Sequence, residues 1–147
     1  MGWAAGSAEV IAALTKVKTF MDTGQYLGIQ AAGVAALESW DSWVPGNIAT
    51  FAARRTRAVE AFTAAGFDVK TPEATMYLWI PVPTSESSEA FAARALESEG
   101  VIVLPGAALG AGGEGFFRIA LTAGEEDLDE AAVRLGRVST GVSATSV

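Results

Sequence analysis

Neither cysteine nor histidine occurs anywhere in the 147 residues, and the two absences together remove a large part of protein chemistry. Disulfides, zinc held by Cys and His, cysteine nucleophiles and Ser–His triads all need a side chain this protein does not have. Positive charge is scarce as well. Ten Lys and Arg stand against 17 Asp and Glu, a formal charge of −7. Broad binding to nucleic acid or to an anionic membrane requires clustered basic residues, so neither is expected as a partner. One small anionic ligand held by one or two cations stays open. No run of about 20 apolar residues is present to span a bilayer. Met1-Gly-Trp-Ala-Ala-Gly lacks the basic lead of a secretory signal, and the expected location is the cytoplasm.

What is plentiful is apolar material. Half of the residues are hydrophobic and only 18% are charged. A domain of this size buries roughly 70% of its unfolded surface, so one sizeable core is expected. The most informative stretch is residues 100–121. Val101 to Leu104 is an apolar run, and Phe116 to Leu121 is apolar except for Arg118. Between them lie Pro105 and the glycines 106, 110, 112, 113 and 115. Apolar runs bounded by Gly and Pro read as strands joined by a loop. A charge inside an apolar strand needs a partner. For Arg118 that partner is an anion, either structural or a ligand. The loop glycines serve either close approach of backbone to a ligand or flexibility alone.

Elsewhere the spacing predicts helices. Ser7 is an N-cap residue, and Val10, Ile11, Leu14 and Val17 recur at helical intervals up to about Lys18. A second, Ala-rich helix spans about Tyr26 to Ser39. Pro45-Gly46 punctuates the chain, and a long helix follows from Asn47 to Ala65 with Gly66 as its stop. Its Arg54, Arg55 and Arg57 read as a solvated face with Glu60 nearby. Phe67 to Lys70 is a brief strand candidate. Ala74 to Pro83 is the clearest strand, and Pro81 and Pro83 put its end at an edge or exit. There Tyr77 and Trp79 read as core aromatics rather than substrate contacts. A helix capped from Ser85, Ser87 or Ser88 ends at Gly100. A last helix, acidic at its start and basic at its end, runs from Thr122 to Val138.

The architecture expected from this order is α+β, a helical N-terminal part followed by a small β-β-α-β-β-α domain with its helices packed on one face of the sheet. The first 45 residues fit it poorly. Trp3, Phe20, Tyr26, Trp40 and Trp43 have no sheet to cover them, and the possible strand Gly2 to Gly6 has no partner. Exposed apolar area of that extent implies a missing surface, supplied by an oligomer or by more chain.

The Pro105-Gly106 turn, Leu109-Gly110, and the strand Gly115-Phe-Phe-Arg-Ile-Ala-Leu121 resemble the C-terminal signature of fold-type-I aminotransferases, which use pyridoxal phosphate. Ala74-Thr-Met-Tyr-Leu-Trp79 resembles the family's strand at that place. Gly2-Trp-Ala-Ala-Gly-Ser7 is similar to the segment shortly after the cofactor lysine. Residues 16–30 are especially similar to the diaminopimelate aminotransferase branch. The resemblance implies that residues 1–46 are a remnant of the large cofactor-binding domain, 47–66 an interdomain helix, 67–138 the small C-terminal domain and 139–147 a disordered tail.

By the same resemblance Arg118 pairs with the substrate α-carboxylate, as a planar, always-charged guanidinium suits. Asp22, Thr23 and Gly24 either approach the neighbouring subunit's site in a homodimer or form a plain helix–helix turn. The family's Schiff-base lysine lies in a Ser-Lys segment that would fall just before Gly2. Lys16 and Lys18 do not match it, so no catalytic residue is assigned and the chain is expected to be inactive alone. The implied activity is amino transfer between an amino acid and a 2-oxo acid. A non-catalytic ligand-binding or oligomerisation module, or another fold-type-I pyridoxal-phosphate reaction, are the alternatives.

Overall fold

The computed structural model describes residues 2–140. Two compact units meet at Gly46 and Asn47.

The first unit holds α1 (Ala8–Met21) and α2 (Leu27–Glu38). The Ser7 side chain accepts from the Val10 amide at the start of α1, as its N-cap position demands. Lys18 Nζ bonds Asp22 where α1 stops, and Thr23 follows with φ 55°. Tyr26 and Ser39 are the caps of α2. Neither helix buries a residue. Phe20 is 86% exposed and Trp3 82%. The N-terminal segment 2–6 forms no strand.

The third helix, α3 (Trp40–Ala64), is longer than the spacing predicts because Pro45 lies inside it. Pro45 is the sixth residue of α3, so it removes the bond that its amide would have made to the Asp41 carbonyl, and the helix runs on through Pro45-Gly46 with that one bond missing. At the far end Gly66, with φ 93°, closes the helix. Phe67 N–H bonds the Phe62 carbonyl and Gly66 N–H that of Thr63, the paired bonds of a left-handed helix stop.

The second unit contains a three-stranded antiparallel sheet, with β1 (Tyr77–Pro81), β2 (Leu104–Pro105) and β3 (Phe116–Ala120) in the order β1-β3-β2. The α+β class holds, but residues 67–70 do not pair as a strand. Val101 to Val103 also stay off the ladder, although Val103 is buried. α4 (Ser88–Glu99) connects β1 to β2, and α5 (Glu125–Thr140) follows β3. Ser87 caps α4, and Gly100 ends it in the left-handed conformation. α5 continues through Ser139 and Thr140, which corrects a tail starting at 139; residues 141–147 lie outside the described residues.

Leu78, Ile80, Phe117 and Ile119 form the core face of the sheet. Phe91 of α4 and Phe67 pack on Phe117, and Phe62 of α3 packs on Phe67, with ring centroids 4.9–5.8 Å apart. Leu128, Ala132, Leu135 and Val138 bring α5 to the same cluster. Truncating a ring at this centre costs about 3–5 kcal/mol. Among the described residues no helix is long and apolar enough to cross a membrane.

Candidate functional site

Strand alternation sends Tyr77, Trp79, Phe116 and Arg118 to the face of the sheet opposite the core. Arg118 stands directly across from Trp79 on β1 and from Leu104 on β2. Trp79 is 37% exposed and stacks on Phe116 at 5.5 Å. Tyr77, half-buried, lies under Arg118, whose guanidinium carbon is 4.0 Å over its ring centre. This corrects the core assignment of Tyr77 and Trp79. Both sides of β1 are apolar, so periodicity could not tell which one faces α4.

The remaining arginines are all committed to oxygens. Arg54 donates to the carbonyls of Leu121 and Thr122, and Arg55 to that of Pro72. Arg57 makes a two-pronged bond to Asp129. Arg94 is held by Glu86, Arg134 by Glu130 and the Glu99 carbonyl, and Arg137 by the Glu99 carboxylate. Arg54 and Arg55 are half-buried and so depart from the solvated-face reading, whereas Arg57 stays exposed. Together the three fix α3 to the end of β3, to the loop after Gly66 and to α5. Arg118 is the one arginine among the described residues with no hydrogen bond or ion pair to a protein oxygen. It borders a cleft of about 350 Å³ shared with Ile102, Leu104, Ala120, Thr122 and Asp127. A larger groove of about 780 Å³ between α3 and α5 contains only arginines already held by Asp129 and Glu99.

The glycine loop before β3 has a defined path. It folds as two 3-10 turns, Gly106–Leu109 and Ala111–Gly113, with the two glycines at its ends against each other. Glu114 ties it to α4: its carboxylate accepts from the Ser88 and Gly115 amides and from the Ser88 hydroxyl. Ser88 Oγ in turn accepts from the Ala107 amide. Those donors, led by the Ser88 amide, hold the Glu114 carboxyl below its ordinary range. Gly106 and Gly113 bring backbone close to backbone, a use that spacing alone does not reveal.

In the first unit, Asp22 accepts from Lys18 and Gln25, both at 2.7 Å. The Lys18 bond lowers its pKa. These local bonds hold the turn between α1 and α2.

Among the described residues no lysine lines the cleft of Arg118. The single lysine of the second unit, Lys70, is exposed. In the first unit Lys18 Nζ is occupied by Asp22, and Lys16 is exposed on α1.

Residues 1–135 match the family described as aminotransferase class I and II. The chain is 43% identical over 138 residues to an LL-diaminopimelate aminotransferase of Moorella thermoacetica, covering 94% of this chain and 35% of that protein. It is 38% identical over 135 residues to one from Dehalococcoides mccartyi, covering 92% and 35%. Among solved structures it resembles N-succinyldiaminopimelate aminotransferase from Mycobacterium tuberculosis, with TM-score 0.84, 29% identity, and coverage of 93% of this chain and 37% of that one. The aromatic aminotransferase from Pyrococcus horikoshii OT3 gives 0.84 at 28% identity, covering 93% and 38%. The chain spans about a third of the length of these relatives.

Proposed function

The chain belongs to the aminotransferase class I and II family, and from that premise we propose that it supplies the substrate-carboxylate grip of a pyridoxal-phosphate-dependent aminotransferase. Arg118 is the grip. The observation that carries this reading is its solitary state: each other arginine holds a protein oxygen, and Arg118 alone keeps its donors on an open sheet face beside a cleft. A guanidinium so placed presents parallel N–H groups that match one carboxylate. The substrates are an amino acid and a 2-oxo acid, both carrying that group next to the reacting carbon. Similarity to LL-diaminopimelate aminotransferases favours a diaminopimelate-like amino donor.

The cofactor and its lysine belong to residues other than these 147, and the chain alone does not catalyse transamination. The complete enzyme is a cytoplasmic homodimer. Covering the apolar sides of α1 and α2 is the task of that larger assembly. Segments 1–46, 47–66 and 67–138 are, in this reading, a piece of the large domain, the connecting helix and the small domain.

Two measurements test the reading. The 147-residue chain is incubated with pyridoxal phosphate and reduced with borohydride; no stoichiometric adduct is expected at any one lysine, and a single specific adduct overturns the assignment of the lysine elsewhere. In the aminotransferase carrying this segment, Arg118→Ala raises the amino-acid KM and lowers kcat/KM by on the order of 10²-fold, the loss of a charged hydrogen-bonding partner. Unchanged kinetics would make Arg118 structural.

A further inference from the structure

We propose that Tyr77 is the positioning residue for Arg118, fixing the plane of its guanidinium while leaving its N–H donors free for a carboxylate. The inference rests on Arg118 being the carboxylate-binding group. The guanidinium carbon lies 4.0 Å over the ring centre. A guanidinium C–N bond is about 1.3 Å, judged from the partial double bond of the peptide. A nitrogen pointed at the ring would then come within roughly 2.7 Å of it, inside van der Waals contact. A head-on nitrogen is therefore excluded, and a guanidinium stacked along the ring keeps its N–H edges directed away from it.

This support differs in kind from the one given to the other arginines. Arg57, Arg94 and Arg137 are each steadied by a carboxylate, which takes up the N–H edge and offsets the charge. Either effect would compete with an anionic ligand. A tyrosine face restrains orientation and adds attraction without doing so.

The register makes room for it. Tyr77 is opposite Ala120, and Arg118 is opposite Trp79, two positions along β1. The small Ala120 side chain lets the ring reach diagonally to Arg118, a distance that aromatic side chains span. From below, the Tyr77 amide donates to Thr75 Oγ1 at 2.9 Å, and Thr75 itself takes φ 77°. That turn fixes the start of β1 at the ring.

The test uses NMR of the Arg118 Nε–Hε group in the 147-residue chain, with Tyr77→Phe and Tyr77→Leu variants. Acetate is the probe, and chloride at equal ionic strength is the control. Wild type and Tyr77→Phe should show an upfield ring-current displacement and a shift that moves with acetate. Tyr77→Leu should lose the displacement, and its initial response to acetate should fall by up to about 30-fold, the full strength of a partly desolvated cation–π contact being the ceiling because the stack is present before acetate binds. If the leucine variant does not fold, Tyr77→Met takes its place. Equal acetate responses in all variants would overturn the positioning role while leaving Arg118 as a carboxylate group. No acetate response in wild type, with the ring-current displacement intact, would overturn the carboxylate role and the inference with it.

Discussion

Gly106 and Gly113 meet backbone to backbone: a Cβ added to Gly106 would lie 2.0 Å from the Gly113 carbonyl oxygen, and one added to Gly113 would lie 2.1 Å from that of Gly106. Neither obstacle is a side chain that could swing aside. Either alanine substitution should therefore destabilise the second unit by about 1–3 kcal/mol or more, the usual cost of overpacking. Gly112, where nothing lies within 4 Å, is the control and should tolerate alanine. Urea midpoints of the three variants decide the matter; equal midpoints would refute the close-approach account.

Glu114 predicts an acid dependence. Its folded pKa is depressed, chiefly by the Ser88 amide and then the Gly115 amide. Such a group contributes stability above its unfolded pKa of about 4.3, and the contribution is lost as pH falls through the lower folded value. Stability of wild type should accordingly decline as pH drops below about 4.3. Glu114→Gln should begin less stable at neutral pH and flatten that part of the profile. A profile parallel to wild type would show that the Ser88 and Gly115 bonds carry no net energy.

Arg54 and Arg118 should separate stability from binding. Arg54 donates to two carbonyls just past β3, so Arg54→Ala should cost about 1–3 kcal/mol, the range for hydrogen bonds from a charged donor. Arg118→Ala removes no bond to a protein oxygen and should leave the thermal midpoint close to wild type. A large destabilisation on losing Arg118 would mean that its stack on Tyr77 is chiefly a packing device.

Arg137 and Arg57 both reach carboxylates, but in different settings. Glu99 is buried, with 8% of its surface exposed, whereas Asp129 belongs to an exposed pair. Stripping a buried carboxylate of its cation is far more costly than breaking a surface pair. Arg137→Ala should thus lower the urea midpoint much more than Arg57→Ala. The reverse order would sink this ranking.

The whole described core lies in the second unit. Among the described residues of the first, Val44 alone of the large apolar side chains is buried. Residues 47–140 expressed alone should give cooperative thermal unfolding and dispersed amide resonances, and residues 1–46 alone should give neither. A cooperative transition from the short piece would be inconsistent with its lack of buried surface.

Helix ends were the most legible part of the sequence, because caps are local chemistry. Ser7 and Ser87 cap α1 and α4 through their side chains and Gly100 stops α4, as residue type implies, whereas the start of α3 at Trp40 was hidden by Pro45-Gly46. Faces were less legible. β1 is apolar on both sides, so only the pairing with β3 and the packing of α4 decide that Leu78 and Ile80 turn inward while Tyr77 and Trp79 turn out. Arg54 and Arg55 look like surface charge until the end of β3 and the loop after Gly66 fold against them. Arg118 could be singled out from its apolar neighbours. That it alone lacks an oxygen partner depends on six other arginines and could not be read from spacing.

The order β1-β3-β2 puts the last strand to be synthesised in the middle of the sheet. Neither β1 nor β2 has a neighbour until residues 116–120 exist. A nascent chain stopped before that point has no ladder, however much helix it has formed, and pairing Tyr77 with Ala120 closes a loop of more than forty residues. Closing so long a loop delays folding. The event that completes the sheet also delivers Arg118, so no intermediate lacking β3 can have a closed sheet and no closed sheet can lack the arginine.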